Sequence, residues 1–496
     1  GGGGGGGGGD VPTAAVSPQG DLGTREAVIV SFSESMDPAS LQLGGSMADV
    51  AATEWSAAES KNDTVTIVPS ASWESGMQTL TVDGESSDAK ALDTVEVEFR
   101  VRAEFSDFQP AAVVIGQADF SGGTANQGGS VDANTLDNPV GAAGFAVDEN
   151  TLFISDTGSS RVLGFSTVPA DSNANADFVI GQADFTADVA ETGAGSLRMP
   201  QTVTATNGRL VVADTDSHRV LIYNAIPASG PVDADVVVGQ TAMTARDTAC
   251  NATSLNTPES HFVTPDGKLI VADSGNNRVL IWNELPTANA SPPDLVLGQD
   301  DFVHCTANDD DQDATPSPDW PPHSYTLSYP TGIWSDGERL LVADSGNHRV
   351  LIWNEFPTEN FAPADRLLGQ NSFRTMAAND DDQDGVTDPD GTASQHVFDF
   401  PFGVWSDGMQ IFVADRNNNR VLVWDEYPER FFEAAAIVLG QENFQNNAAN
   451  DADQDGTPDA GPSQTTMNQP TGIRLIGDRV VVTDTGNSRV LIFDAE

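Results

Sequence analysis

Two short stretches carry carboxylates at alternate positions. Residues 380–388 read DDDQDGVTD and residues 451–459 read DADQDGTPD, so both fit D-x-D-x-D-G-x-x-D. Asp380, Asp382, Asp384 and Asp388 in the first, and Asp451, Asp453, Asp455 and Asp459 in the second, are placed to turn their oxygens around one hard divalent cation, and the Gly permits the sharp bend that wrapping needs. A third stretch, with Asp309, Asp311 and Asp313, begins alike but has Ala314 and Ser317 where the Gly and the last Asp would stand. Ca2+ is the cofactor this chemistry points to, with the third loop the weakest ligand. The competing reading is a set of solvated acidic loops in an acidic protein.

The two full loops resemble thrombospondin type 3 calcium loops and the start of an EF-hand loop. A true EF-hand is excluded, because Gly391 and Pro462 occupy the place of its bidentate Glu. Other chemistry is sparse. Zinc catalysis needs about three converging protein ligands, and the one set to consider is His261 with His323 and His396. Cys250 and Cys305 fall after successive repeats of one motif, on one face, where a disulfide or two free thiols would both be consistent. No Ser nucleophile motif, phosphate loop or Cys/His pair stands out.

What must position these loops is a repeat. LIVADSGNNRVLIW (269–282) has five relatives, at 152–165, 210–223, 340–353, 411–424 and 480–493. In each an Asp (156, 214, 273, 344, 415, 484) stands five residues before an Arg (161, 219, 278, 349, 420, 489), and successive Asp lie 58, 59, 71, 71 and 69 residues apart. Two runs of β-formers flank a polar turn, which reads as a hairpin with Gly and Asn supplying positive φ. A strand-opening Pro precedes each Asp, and an apolar run ending in Gly-Gln recurs six times, first at Gly116-Gln117. Four strands per unit and periods this long predict propeller blades rather than solenoid coils. The last unit lacks a Gly-Gln strand of its own, so the strand near 112–117 is expected to complete the last of six blades. Asp and Arg recur too often to be catalytic, and a turn-fixing job is expected of them, with Arg packing or pairing between blades.

The D-x-G-N-x-R-V-L signature, the P-x-G-[IV] strand start and the six-fold count resemble NHL-repeat β-propellers, in particular the secreted bacterial type with V-L-G-Q between blades. The resemblance spans roughly 105–493 and implies an all-β six-bladed propeller over 105–496; it says little about function. The topology puts the six D-x-x-x-x-R turns and the acidic inserts on one face, so an acidic wall is expected there.

Residues 1–9 are all Gly, and 1–15 read as a flexible tether. Such a run resembles the linker behind the lipidated Cys of bacterial lipoproteins, which implies a lipid anchor and an extracellular or cell-surface location; a plain disordered tail is the other reading. Residues 16–104 alternate in short runs, at 27–32, 64–68, 78–82 and 95–101, and VSFSESMDPASL (30–41) with TVTIVP (64–69) resembles a bacterial Ig-like β-sandwich.

With 22 Lys+Arg against 74 Asp+Glu, the formal charge is −52. That field repels nucleic acid and anionic lipid, leaving divalent cations, cationic partners or solubility at high salt. No apolar run is long enough for a transmembrane helix. The reading is therefore a non-enzymatic, exported or surface-tethered binding or scaffold protein, its partner a cell-surface protein or glycan. The alternatives are a metal-dependent propeller lyase or lactonase with its site in the central channel, which needs several polar ligands at one level where only Glu259 and His261 stand out, and a purely structural acidic module.

Overall fold

The computed structural model describes residues 11–56, 58, 61–70, 72–144, 151–228, 230–313, 321–387 and 392–496. The Gly run, Ala314, Ser317, Asp388 and Gly391 lie outside the described residues. The chain divides into two compact units, Gly1–Phe105 with Ala495–Glu496, and Ser106–Asp494. Regular structure among the described residues is β-strand and short 3-10 turn.

In the first unit, alternation decides which side chains are buried. Val28–Phe32 hides Val28, Val30 and Phe32 and exposes the residues between, as a period of two on a half-covered sheet requires. Two four-stranded sheets supply one core that includes Val30, Ile67, Leu80, Phe99 and Trp73. Pairing starts at Ala14, opposite Phe32, so the expected tether boundary at 15 falls two residues too late: Ala14 and Ala15 already belong to a strand.

The second unit is a β-propeller. Among the described residues its six four-stranded sheets each begin at a first strand, Ala142–Gly144, Pro200–Thr206, Pro258–Val263, Pro330–Ser335, Pro401–Ser406 or Pro470–Ile476, and these pack side by side in a closed circle. The flanking runs are buried end to end, as Leu269–Asp273 and Arg278–Trp282 are. Their continuous apolarity has a simple cause: each sheet is covered on both faces, and the cores lie between neighbouring sheets. Val113–Ile115 pairs with Arg489–Asp494 through Leu491 opposite Val114, so the sixth sheet is completed by the strand furthest from it in sequence. The Gly of each Gly-Gln has φ between +86° and +92°. A Cβ there would sit 2.5 Å from Leu136 at Gly116 and 2.3 Å from Phe398 at Gly369, so no other residue fits.

Candidate functional site: the turn ring and its acidic loops

The repeated Asp and Arg form a buried ion pair within each turn. Arg278 Nε donates to Asp273 Oδ2 at 2.7 Å, and the five other copies match. All twelve side chains are fully buried. The remaining valences are satisfied. Asp273 Oδ1 accepts the backbone N–H of Asn256, while the Arg278 Nη atoms donate to the carbonyls of Phe302, Asn251 and Ser254. Each pair thus fastens the connection before and the connection after its own sheet. Burial raises the carboxyls of Asp156, to about 6, and of Asp214, Asp273, Asp344 and Asp415, against the pull of the neighbouring Arg charge.

The pairing expected between blades is instead made by two other residues of the turn. The residue before each Arg (Ser160, His218, Asn277, His348, Asn419, Ser488) has the left-handed backbone, φ +49° to +56°. The turn Gly does not supply it. Gly275 stands where a Cβ would meet the Asn256 carbonyl at 2.8 Å, so its role is clearance. Each left-handed residue accepts, through its side chain, the N–H of the residue before the Pro of the next sheet: Met199, Thr257, Tyr329, Phe400, Gln469 and, closing the circle, Asn138. Its own carbonyl receives Nε2 of the Gly-Gln glutamine. The residue after each Asp adds a second bond. Thr157, Thr215, Ser274, Ser345 and Thr485 donate at 2.5–2.7 Å to the Pro carbonyl of the next sheet; the fifth turn has Arg416 there instead.

The acidic loops hang from this ring. Asn308, Asn379 and Asn450, each just before a loop, exchange amide hydrogen bonds with Asn347, Asn418 and Asn487 of the turns. Asp380 is fully buried; its Oδ1 accepts from Asp384 N at 3.0 Å and its Oδ2 from Gly385 N at 2.9 Å, and Asp451 does the same with Asp455 and Gly456. Gln312, Gln383 and Gln454, all at positive φ, lock the loops by donating to the carbonyls of Asp309, Asp380 and Asp451. The result is three groups with ligand oxygens within 4.8 Å of one another: Asp309, Asp311 and Asp313; Asp380, Asp382 and Asp384; Asp451, Asp453 and Asp459. Burial and then the charges of Asp384 and Asp382 raise the Asp380 pKa, and Asp455 foremost raises that of Asp453. Crowded carboxylates of this kind are relieved by a hard cation.

Two details differ from the sequence reading. The 309 loop assembles the same triad despite its degenerate sequence, because Asn308 and Gln312, not the missing Gly, hold it. Asp455 stands outside the group of its loop, its carboxylate taken by the N–H and hydroxyl of Thr457. A fourth group escaped notice: Asp300 and Asp301 hold His304 Nδ1 at 3.0 and 2.9 Å.

The His set does not converge. His261 is buried beside the Thr202 hydroxyl (3.0 Å), its pKa pushed to about 3 by burial, while His323 meets Asp310 and His396 stacks on Phe432. Cys250 and Cys305 form a disulfide, which ties the connections that follow the second and third sheets. The inner strands surround a cavity of about 70 Å³ lined by Thr202, His261, Ile333, Val404, Trp405 and Arg474 among others.

Residues 197–223 and 467–493 match the NHL repeat. No curated protein sequence matches the chain. Among solved structures it is similar to a protein of unknown function from Bacteroides thetaiotaomicron (14% identity over 98% of both chains, TM-score 0.44). It is also similar to the calcium-binding protein regucalcin of Agrobacterium tumefaciens (11% identity, 77% of this chain and 95% of that one, TM-score 0.37). The PQQ-bound aldose sugar dehydrogenase of Streptomyces coelicolor is a third (13%, 74% and 97%, TM-score 0.37).

Proposed function

We propose that this chain is an exported or surface-tethered, non-enzymatic binding protein, an Ig-like sandwich followed by a six-bladed NHL propeller whose acidic loops are ordered by Ca2+. The observation that carries this reading is the threefold recurrence of one arrangement: an Asp triad on a Gln-locked loop, anchored by an Asn pair to a buried Asp–Arg turn. A loop held this firmly keeps repelling carboxylates together, which makes sense when a cation is to join them. The disulfide suits an oxidising compartment. The channel supports binding over catalysis. Among the described residues its lining is Gly, Thr, Ser, aliphatic and aromatic apart from His261 and Arg474, and His261 is already engaged with Thr202.

Calorimetric titration with Ca2+, paired with thermal melts in EDTA, tests the reading. We expect saturable binding of one ion per loop and a higher melting temperature; at a free concentration of about 100 Kd, binding to the folded state adds about 2.7 kcal/mol per site. Asp382→Ala/Asp453→Ala should leave only the 309 loop titrating. Absence of both heat and thermal shift in the wild type would reduce the acidic inserts to solvated loops.

A further inference from the structure

The segment joining the third to the fourth strand of a sheet lies on the face away from the turns, and recurring bonds hold it. Asp177, Asp235, Asp294 and Asp365 each accept, through Oδ2, the backbone N–H of the first residue of their segment at 2.7–2.8 Å. Five residues earlier, Ser172, Asn289 and Asn360 accept an N–H from the outer strand of the preceding sheet. The fifth sheet departs at both places. Ala436 stands where the Asp would be and Phe431 where the other acceptor would be, so neither side chain can make its bond. Two further exchanges go with these: Glu429 replaces the Thr287 and Thr358 of the third and fourth segments, and Glu433 replaces their Ser291 and Ala362. One engaged carboxylate is thus traded for two at new positions. Consistency that fails in one segment, in a chain that keeps it elsewhere, marks function.

At this segment lies a cavity of about 530 Å³, within the roughly 300–1,000 Å³ of small-molecule sites. The cavity, rather than acidity, singles the place out, because carboxylates are abundant all along this chain. Its lining sets Asp425, Glu426, Glu429 and Glu433 against one cation, Arg430, with Trp424, Tyr427, Ala434 and Ala436 as the apolar part. Two of the carboxylates are fixed. The fully buried Gln410 donates Nε2 to Asp425 Oδ1 at 3.1 Å. Arg430 donates Nε and Nη2 to the two oxygens of Glu433 at 3.0 and 3.1 Å, although its own side chain is 78% exposed. The cavity therefore already engages one guanidinium, supplied by the chain itself. The four carboxylates do not draw together as those of the acidic loops do; among the described residues, the groups with ligand atoms within 4.8 Å of one another all lie elsewhere. Negative charge spread around an open space does not suit a single metal ion. It suits a molecule whose positive charges are spaced along a methylene chain, which can lie against aromatic and alanine side chains while its ends meet carboxylates.

We propose that this cavity binds an aliphatic diamine or polyamine, with its ammonium groups paired to Asp425, Glu429 and Glu433 and its methylenes against Tyr427 and Ala434. This rests on the reading of the propeller as a binding protein and names a ligand class for it. The probes are cadaverine and spermidine, titrated calorimetrically into the full chain at physiological salt with excess Ca2+, so that the acidic loops do not compete for the amine. We expect one saturable site for at least one of the two. Glu429→Gln/Glu433→Gln should weaken it about tenfold or more. Glu355→Gln/Glu359→Gln makes the same charge change in the corresponding segment of the fourth sheet and should leave affinity within about twofold. Absence of binding, an undiminished affinity in the first variant, or an equal loss in both overturns the site, the last because it assigns the binding to the overall field. If the first variant melts well below the wild type, Arg430→Gln decides: tighter binding, as Glu433 is released from its internal partner, supports the site, and unchanged or weaker binding overturns it. Chemical conversion of the bound amine would sink the non-enzymatic reading and spare the site, whereas a silent titration sinks the site and leaves the loops to the calcium experiment.

Discussion

The residue before each repeated Arg has to do two things: adopt left-handed backbone and accept a hydrogen bond from the next sheet. Ser, Asn and His meet both demands, which is why only these three appear there. Where His serves, Nδ1 must be unprotonated. It is 3.0 Å from Thr257 N in His218 and 3.0 Å from Phe400 N in His348. Burial lowers both pKa values below the ordinary 6.5, against the pull of Asp216 on His218 and of Asp399 and Asp344 on His348, with Arg246 adding to the lowering at His218. A folded-state value below the unfolded one means that the unfolded chain takes up protons first. Stability from these groups is therefore full above about pH 6.5 and is lost as pH falls below it. His218→Asn/His348→Asn should melt like the wild type at pH 7.5 and progressively above it towards pH 5; parallel melting curves across that range would refute this. A harsher change is Arg278→Met, which leaves the buried Asp273 without its counter-charge. We expect a loss of about 3–5 kcal/mol, read as a lowered urea midpoint.

At the scale of elements, periodic hydrophobicity and punctuation carried most of the information. The Pro, the Asp, the Arg and the Gly-Gln each mark a strand edge, so four strands per unit and the pairing of the strand near 112–117 with the last unit could be read directly, and both are found. Short, half-exposed strands could not. Gly20–Gly23 and Gln42–Gly44 in the first unit are too brief to show a period, and they are defined by partners far along the chain. The acidic loops show the same division. Alternating Asp pointed to all three, but the Asn pair and the Gln lock were invisible because they act across about 40 residues or through a side chain bonding its own loop backbone. The exception in the fifth turn was missed for a related reason: Arg416 looks like any polar turn residue until the hydroxyl missing from its place is noticed. The lock also bears on the calcium stoichiometry. Asp309→Ala should remove one ion from the wild-type count and leave the other two loops unchanged, as a repeat of the titration would show; an unchanged count would mean that the third loop is only a structural copy.

For the whole molecule, the formal charge of −52 sets a background that every local feature works against. Self-repulsion on this scale weakens as salt shortens the Debye length from about 10 Å at 0.1 M to about 3 Å at 1 M. The melting temperature in EDTA should therefore rise with NaCl over that range; a flat response would mean that the buried ion pairs and sheet cores already outweigh the surface field.

The pairing of Val113–Ile115 with Arg489–Asp494 also has a meaning in time. A ribosome makes the first of these strands nearly four hundred residues before the second. Throughout that interval Val113, Val114 and Ile115 have no edge to join, and five sheets can form while the circle stays open. The molecule is thus unable to become a ring by degrees: the strand Arg489–Asp494, made long after its partner, decides whether the first strand ever finds its place, and a chain cut short before 489 would carry an apolar strand with nothing to pair it.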